Sequence, residues 1–474
     1  MVRAMTTSNL HLAAGAPAPA QSSAWRTEIV ETLWLAVPMA LTQLGQIAMM
    51  TTDLALIGRL GDAAVAAAAL AHTVLLVAFM LGIGLVSAVA PLAAQAYGAR
   101  TPRQVRAALR VGLWAAVIAG VPLTLSQFFG EAMLLAAGQE PHTAQLAGRY
   151  LHGLAWSLVP GWIFIALRSF MGAVNRPEPA LWIMFAAVPL NGLLAYALIN
   201  GAFGLPRLEI FGAGLATTIV SVAMCVAAAV VCVTLQPFRK YQVFGELARF
   251  DGPLMRRLLA LGLPISGASV LEYGVFGAAA LLMGKIGTTA LAAHQIAVQV
   301  AAIMFMVPLG ISLAATVRVG HAVGRDDPAG ARRAGFAAIA LGLAFMSAMT
   351  LLVALTRHQI PHLFLGDSTT AAETAQLTAS LLVVGASFFI VDGLQVVANG
   401  ALRGKNDTRI PLLFAVLGFW VIAFPACYLL GFPAGLGPFG VWIGLAIGLA
   451  VYAALLVARF HLLTRDGRAA PARG

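Results

Sequence analysis

The sequence predicts an all-α integral membrane protein with twelve transmembrane helices in two parallel six-helix repeats. Three observations lead to this fold class. Of the 474 residues, 60% are apolar and only 10% are charged, whereas soluble domains carry about 25% charged residues. Twelve apolar runs are long enough for a bilayer span of about 20 residues. The second half of the chain also repeats features of the first half.

Each predicted helix is an apolar run bounded by turn-forming residues, as at 98–102 and 324–328. The twelve predicted helices cover residues 29–57, 64–90, 107–129, 146–171, 179–200, 210–235, 256–283, 290–316, 331–355, 374–400, 411–431 and 438–462. We expect a disordered cytoplasmic tail over 1–28, an N-lobe over 29–235, a cytoplasmic linker over 236–255, a C-lobe over 256–462 and a second tail over 463–474.

The basic residues orient these helices. Of the 29 Lys and Arg residues, 24 fall on the tails or on the loops that follow even-numbered helices, and only 5 fall on the other side. Cytoplasmic loops are enriched in Lys and Arg, so both termini should be cytoplasmic, as an even helix number requires. The net charge of +11 then reflects topology and attraction to anionic lipid headgroups, and we expect no nucleic-acid partner.

The internal repeat defines how the halves are related. With a shift of 226 residues, Pro38 aligns with Pro264 and Gly98 with Gly324, without gaps across three helices. A shift of 232 aligns Gly172 with Gly404. Six helices is an even number, so both halves enter the membrane in the same direction. Parallel repeats related by an axis along the membrane normal are typical of transporters that alternate access between two lobes.

Three carboxylates lie inside the apolar runs, where an ionisable residue is costly and therefore a functional candidate. Asp53 is close to the outer end of the first helix, Glu272 is near the middle of the seventh, and Asp392 is near the middle of the tenth. Their repeat partners, Ala279, Gln46 and Pro160 respectively, are not carboxylates. The glycine and proline positions repeat between the halves and the carboxylates do not. We therefore expect the two lobes to have different functions.

Polar and aromatic residues at helical spacing surround these carboxylates. Thr42 and Gln46 share a face with Asp53, and Gln395 and Asn399 share a face with Asp392. The remaining candidates for the cavity wall are Asn191, Tyr273, Phe276, Gln295 and Gln299. For the amides, hydrogen bonding between helices is an equally good interpretation. The two aromatic residues fit core packing individually, and a drug-binding wall as a set.

No motif for nucleotide or metal chemistry is present. The sequence has no GxxxxGK[ST] phosphate loop, no HExxH and no Cys/His cluster. We therefore expect no enzymatic activity, no cofactor and no structural metal. An ion gradient should supply the energy, and a carboxylate that binds Na+ or H+ is the simplest coupling device.

Three segments resemble the MATE (multidrug and toxic compound extrusion) family, in particular its bacterial NorM-type branch. They are residues 292–335, beginning AAHQIAVQVAAIMF, residues 391–413, VDGLQVVANGALRGKNDTRIPLL, and residues 51–61, TTDLALIGRLG. The resemblance covers about residues 28–462. It implies two six-helix lobes around a central V-shaped cavity, and export driven by inward flow of Na+ or H+.

The resemblance also implies roles for particular residues. Asp53 matches the coupling aspartate of the N-lobe, with Asn191 as its neighbouring asparagine; a second asparagine often found four residues later is Ala195 here. Glu272 and Asp392 match the acidic pair of the C-lobe, where Na+ is expected to bind.

The resulting expectation is a monomeric multidrug antiporter of the bacterial inner membrane. It should export amphipathic cationic, drug-like compounds by alternating access and contact membrane lipids. The alternative is a lipid or lipid-linked oligosaccharide flippase of the same superfamily, whose cavity should be rich in Arg and Lys. A membrane enzyme or a channel fits less well, because catalytic pairs at the headgroup level are missing and a channel needs no repeats around single carboxylates.

Overall fold

A computed structural model describes residues 21–365 and 369–465. Within them, twelve helices are long and apolar enough to cross a membrane. They are Gln21–Gly58 (α1), Asp62–Gly98 (α2), Pro102–Gln127 (α3), Pro141–Ala173 (α4), Glu178–Asn200 (α5), Glu209–Thr234 (α6), Gly252–Ile286 (α7), Thr288–Gly324 (α8), Pro328–Thr356 (α9), Thr369–Gly404 (α10), Arg409–Gly431 (α11) and Gly437–Arg465 (α12). The predicted all-α fold with twelve spans is confirmed.

Several predicted boundaries are wrong by up to eight residues. Helix α1 begins at Gln21, so residues 21–28 are helical and do not belong to a disordered tail. Helix α7 begins at Gly252 inside the expected linker, and α12 continues to Arg465. The rest of the predicted tails, residues 1–20 and 466–474, lies outside the described residues. Apolar runs mark only the part of a helix inside the bilayer, and polar end turns extend beyond it.

The third helix of each half begins with a proline after a turn of the same shape. Helices α3 and α9 begin with Pro102 and Pro328, at the position where a missing backbone N–H costs nothing. The residues before them differ in capping: the Asp327 carboxylate accepts a hydrogen bond from Gly330 N at 2.7 Å, and Thr101 makes no such bond. The turns that lead into these helices have the same shape, with a positive φ at both Arg100 and Asp326.

The helices form two lobes with matching internal contacts. In the N-lobe α6 packs on α4 and α5, and in the C-lobe the equivalent helix α12 packs on α10 and α11. Between the lobes, α1 packs on α8 and α7 packs on α2. These two interfaces exchange under a rotation that maps each helix onto the helix six places later. The lobes are therefore parallel repeats about a pseudo-two-fold axis.

Glycine contacts between the lobes obey the same symmetry residue by residue. Gly84 lies against Ser266 and Gly310 lies against Ala40. These two contacts are related by the shift of 226 residues. On the pseudo-axis itself, a Cβ on Gly320 would lie 2.8 Å from the Cβ of Ala94, its own repeat partner. Small residues let two helix backbones approach closely in a membrane.

A second symmetric pair of contacts lies at the ends of α2 and α8, where Gly98 packs on the backbone of His321 and Gly324 on the backbone of Gln95. These contacts belong to the end of the molecule that we call the terminal face. It is defined by three contacts: Arg318 with Glu28 at the start of α1, Gln95 with Gly404 O, and Lys405 with Leu463 O near the end of α12. Both ends of the described chain lie at this face.

Polar contacts between the lobes run from the middle of the molecule to the terminal face. Ser266 donates to Leu81 O at 2.7 Å, and Arg318 pairs with both Glu28, at 2.8 Å, and Glu31. The Gln95 amide nitrogen donates to Gly404 O at 2.9 Å. The lobes are thus held together at the terminal face as well as in the middle of the molecule.

Candidate functional site: buried carboxylates in both lobes

Asp53 of α1 sits inside the N-lobe among neutral hydrogen-bond donors. Its side chain is 6% exposed. Asn191 of α5 donates to Oδ1, and Thr217 of α6 donates to Oδ2 at 2.9 Å. The buried phenol of Tyr150 on α4 interacts electrostatically with the carboxylate. Both oxygens of a membrane-embedded carboxylate therefore accept hydrogen bonds from uncharged groups of two helices.

The predicted pairing of Asp53 with Asn191 is confirmed, but the rest of the predicted network is different. The Thr42 hydroxyl donates to Pro38 O of its own helix at 2.8 Å. Gln46 is half-buried and makes no hydrogen bond to any of the described residues. Ala195 is fully buried, where the second asparagine was expected. Thr217 takes the remaining place at the carboxylate, and no sequence signal distinguished it from the other threonines of the apolar runs.

Glu272 of α7 and the acidic residue of α10 form a second cluster inside the C-lobe. The Gln395 amide donates to Glu272 Oε1 at 3.0 Å and also hydrogen-bonds to Asp392. The Asp392 side chain is 5% exposed and that of Gln395 1% exposed. One turn further along α10, Asn399 donates to the Tyr452 hydroxyl of α12 at 3.3 Å. Four of the sequence candidates thus occupy one polar cluster.

Arg403 is a member of this cluster that the sequence reading assigned to a loop. It lies in the last turn of α10, and it interacts electrostatically with Glu272 and Tyr452. Its spacing from Gln395 and Asn399, at four-residue intervals, was the available signal, because residues four apart share a helix face. Tyr452 also lacked a sequence signal, since it stands alone in an apolar run.

The other cavity candidates lie outside the two hydrogen-bonded clusters. Phe276 packs edge-on against Phe388, with ring centroids 5.9 Å apart, and belongs to the aromatic interior of the C-lobe. Tyr273 is half exposed and lies within electrostatic reach of Glu272. On α8, Gln295 is exposed and Gln299 is half-buried.

The two clusters share one chemical property. Among the described residues, no Lys, Arg or His lies within 4 Å of Asp53, Glu272 or Asp392 to form an ion pair. No group of three or more His, Cys, Asp and Glu side chains with the geometry of a metal site occurs in this part of the chain either. Buried carboxylates without a close cation can bind a proton, or a monovalent cation through their oxygens.

The twelve spans, the two equivalent lobes and the buried carboxylates define a multi-pass membrane protein with the architecture of a secondary transporter. The sequence profile of the MatE family matches residues 38–197 and 264–429. These two segments begin at Pro38 and Pro264, the residues that the internal repeat equates. The chain belongs to the MatE family.

Curated relatives cover nearly the whole chain. It is 81% identical over 470 residues to a probable multidrug resistance protein NorM of Rhodopseudomonas palustris, covering 99% of each sequence. It is 59% identical to a probable multidrug resistance protein NorM of Bradyrhizobium diazoefficiens, covering 92% of this chain and 94% of that protein. It is also 41% identical to the multidrug resistance protein NorM of Burkholderia vietnamiensis, covering 93% of this chain and 96% of that protein.

Solved structures share the fold at low sequence identity. A eukaryotic MATE transporter, AtDTX14, superposes with a TM-score of 0.83 at 21% identity, over 94% of this chain and 99% of that one. A MATE protein in complex with MaL6 gives a TM-score of 0.85 at 20% identity, over 93% and 97% of the two chains. The predicted family and fold class are therefore confirmed.

Proposed function

We propose that this protein is a secondary active multidrug efflux transporter of the bacterial inner membrane. It exports amphipathic cationic compounds in exchange for Na+ or H+ by alternating access. The observation that carries the proposal is the pair of buried carboxylate clusters, one in each lobe, without a close cation. The names of its relatives, which are described as multidrug resistance proteins, support the efflux role.

The charge of the interior favours cationic substrates. Asp53 and Asp392 are buried in the spans, and Glu272 is partly buried beside Gln395. Each of these carboxylates attracts a cationic drug when it is ionised. A coupling ion at the same carboxylates removes that charge. Drug and ion therefore compete, and the gradient of the ion drives the drug outward. Exchange requires this competition, because two ligands that do not affect each other cannot be coupled.

The arrangement of the lobes supports alternating access. Their contacts extend from the middle of the molecule to the terminal face, which carries the Arg-rich loops and which we assign to the cytoplasm. The conformation described here is then closed toward the cytoplasm. Export needs a second conformation in which contacts such as Arg318 with Glu28 and Gln95 with Gly404 are broken. The Arg318 and Glu28 side chains are only 11% and 14% exposed, so the second conformation must give these groups other partners or access to water.

The acidic interior does not favour the flippase alternative. A cavity for lipid phosphates needs cations directed into the space between the lobes. Arg318 is instead bound to Glu28 and Glu31, and Arg403 belongs to the C-lobe cluster with Glu272.

The proposal is tested with purified protein carrying a bound fluorescent cationic dye. We expect dye release when Na+ is added at constant pH, or when the pH is lowered in the absence of Na+. In proteoliposomes the same ion, imposed as a gradient, should drive dye accumulation. If neither ion released the dye and the protein instead moved labelled phospholipids between leaflets, the flippase alternative would replace the proposal.

A further inference from the structure

Arg403 is a partly buried cation of the C-lobe without a close anionic partner. It occupies the last turn of α10, at the terminal face. Its Nε atom is buried and forms no hydrogen bond with any described residue. No carboxylate of the described chain lies within 4 Å of its guanidinium. Arginine remains protonated in proteins, so this side chain is a permanent positive charge.

A continuous polar face of α10 connects this charge to the acidic pair. Gln395, Asn399 and Arg403 are four residues apart and share one side of the helix. At one end of this face Gln395 bonds to Glu272, and in its middle Asn399 bonds to Tyr452. Both Glu272 and Tyr452 interact electrostatically with Arg403. In an interior of low dielectric constant, charges separated by more than direct contact still interact strongly.

This arrangement equalises the charge of the two lobes. With Glu272 and Asp392 both ionised, the single guanidinium leaves the C-lobe cluster with one net negative charge. The N-lobe cluster, with Asp53 and its neutral donors Asn191 and Thr217, also has one net negative charge. The N-lobe site has one carboxylate and the C-lobe site has two. Each site nevertheless needs only one added positive charge to become neutral.

We propose that Arg403 is a built-in counter-charge that makes the C-lobe site specific for a single monovalent cation. The proposal rests on the exchange function given above and names the residue that sets its cation number. Without the guanidinium, the acidic pair would carry two negative charges. An interior site strongly disfavours uncompensated charge, so it would then take two monovalent cations or one divalent cation. Arg403 thus excludes ions such as Ca2+ and limits the number of ions exchanged for each drug molecule.

The test counts cations taken up by purified protein as bound dye is displaced. All variants carry Asp53→Asn, which removes the carboxylate of the N-lobe and so prevents cation binding there. Radioactive Na+ is measured at constant pH, and proton uptake is measured with a pH-stat in the absence of Na+. We expect about one cation per protein in this background and about two in Arg403→Gln. We also expect Ca2+ to displace the dye at least about tenfold more effectively in Arg403→Gln.

Two further variants separate charge from packing. Adding Asp392→Asn to Arg403→Gln returns the site to one net negative charge and should restore uptake of one cation, whereas Asp392→Asn alone should take up none. Arg403→Lys keeps the charge and should retain one cation. The matched control is Lys405→Gln, which removes a cation that bonds only to Leu463 O outside the cluster and should leave the count unchanged.

The outcomes distinguish this inference from the function on which it rests. Failure of the unmodified protein to take up Na+ or H+ on dye release would overturn the exchange function. Normal exchange in the unmodified protein, together with an unchanged cation count in Arg403→Gln, would overturn only the role of Arg403. A double variant that took up no cation, like Asp392→Asn alone, would assign Arg403 to packing. If Arg403→Gln cannot be purified, the double variant and Arg403→Lys still decide the question.

Discussion

At the scale of single residues, the two lobes solve the problem of a buried carboxylate differently. Asp53 is held by an amide and a hydroxyl. Glu272 and Asp392 share the amide of Gln395, and Glu272 also interacts electrostatically with the Arg403 guanidinium beyond direct contact. Hydrogen bonds to the charged form stabilise it, and burial opposes it. In each site the ionised and neutralised states of the carboxylates are therefore close in free energy, and binding of a single proton or cation can change which state prevails.

Replacing the acidic pair with amides should abolish drug export without loss of membrane insertion. Glu272→Gln and Asp392→Asn keep the shape and hydrogen-bonding capacity of the side chains but remove the charge that binds a cation. We expect each variant to accumulate in the membrane at normal levels and to fail in efflux of an ethidium-like dye from cells. Glu140→Gln, an exposed position at the start of α4, serves as the control. Normal efflux in both variants would mean that the carboxylates only join helices.

The Asp53→Asn variant should lose the part of the pH dependence of dye binding that the N-lobe contributes. In the unmodified protein, a fall in pH protonates Asp53 and weakens the hold of the N-lobe on a cationic dye, so affinity should rise with pH. Asparagine imitates the protonated state at every pH, so only the pH dependence contributed by Glu272 and Asp392 should remain. Dye fluorescence titrations between pH 5 and 9 measure this. Asp62→Asn, at an exposed position at the start of α2, should behave like the unmodified protein. An unaltered pH profile in Asp53→Asn would exclude the proton role.

The sequence identified the three carboxylates because charge inside an apolar run is rare and costly. It identified Gln395 and Asn399 because they follow Asp392 at helical spacing. Thr217 could not be predicted, since a hydroxyl in a membrane helix usually bonds to its own backbone, as Thr42 does. Arg403 was assigned to a loop because the apolar run before it ends near residue 400, and an arginine at that position normally belongs to the cytoplasmic headgroup region.

At the scale of helices, α11 contains an irregularity next to the C-lobe site. Residues Val416–Ala423 form a π-helical segment, and such segments occur frequently at functional sites. The Trp420 indole N–H in this segment donates to Leu271 O at 3.1 Å, directly beside Glu272. The widened turn thus fixes the backbone that carries the acidic residue. No sequence pattern predicted it, because π-segments arise from packing and carry no periodic signal.

The symmetric glycine contacts between α2 and α8 should be equally sensitive to substitution. A Cβ at Gly98 would collide with the backbone carbonyl of His321, and a Cβ at Gly324 with that of Gln95. Backbone atoms cannot move aside by changing rotamer, and overpacking of this kind costs about 1–3 kcal/mol. Gly98→Ala and Gly324→Ala should therefore lower the thermal unfolding temperature in detergent by similar amounts.

The control for this prediction is Gly277→Ala in α7, where an added Cβ meets no atom within 4 Å. Alanine favours a helix more than glycine does, so this variant should be neutral or slightly stabilised. If Gly98→Ala and Gly324→Ala behaved like Gly277→Ala, the lobes would not be in close contact at the terminal face.

At the scale of the whole molecule, the distribution of Lys and Arg predicts the orientation of all twelve helices. The described chain begins and ends at the terminal face, on which 24 of the 29 basic residues were placed from the sequence. We expect a C-terminal fusion to green fluorescent protein to fluoresce, and a fusion to alkaline phosphatase to be inactive. A fusion of the phosphatase after Gly58, between α1 and α2, is the control and should be active. High phosphatase activity of the C-terminal fusion would reverse the orientation and the direction of transport derived from it.

The fold was more predictable than its contacts. Hydrophobic length and the 226-residue repeat determined the number of helices and the relation of the lobes, because both depend only on the bilayer and on chain order. The contacts between the lobes depend on side-chain size. The alignment of Gly98 with Gly324 indicated close packing at these positions, but it did not show which helices pack together. The pairing of α1 with α8 and of α2 with α7 required coordinates.

The contact of Ala94 with Gly320 on the pseudo-axis also bears on the origin of the chain. In a dimer of identical subunits, surfaces at a two-fold interface are isologous, and a residue on the axis touches its own copy. The inter-lobe glycine contacts described above are isologous in the same sense, although both surfaces belong to one polypeptide. A gene for one six-helix unit, whose product assembled as a homodimer, would place the same contacts at the same positions. After fusion of two such genes, each half could acquire substitutions independently of the other. Loss or gain of a carboxylate in one half would then give the two lobes different ion-binding sites.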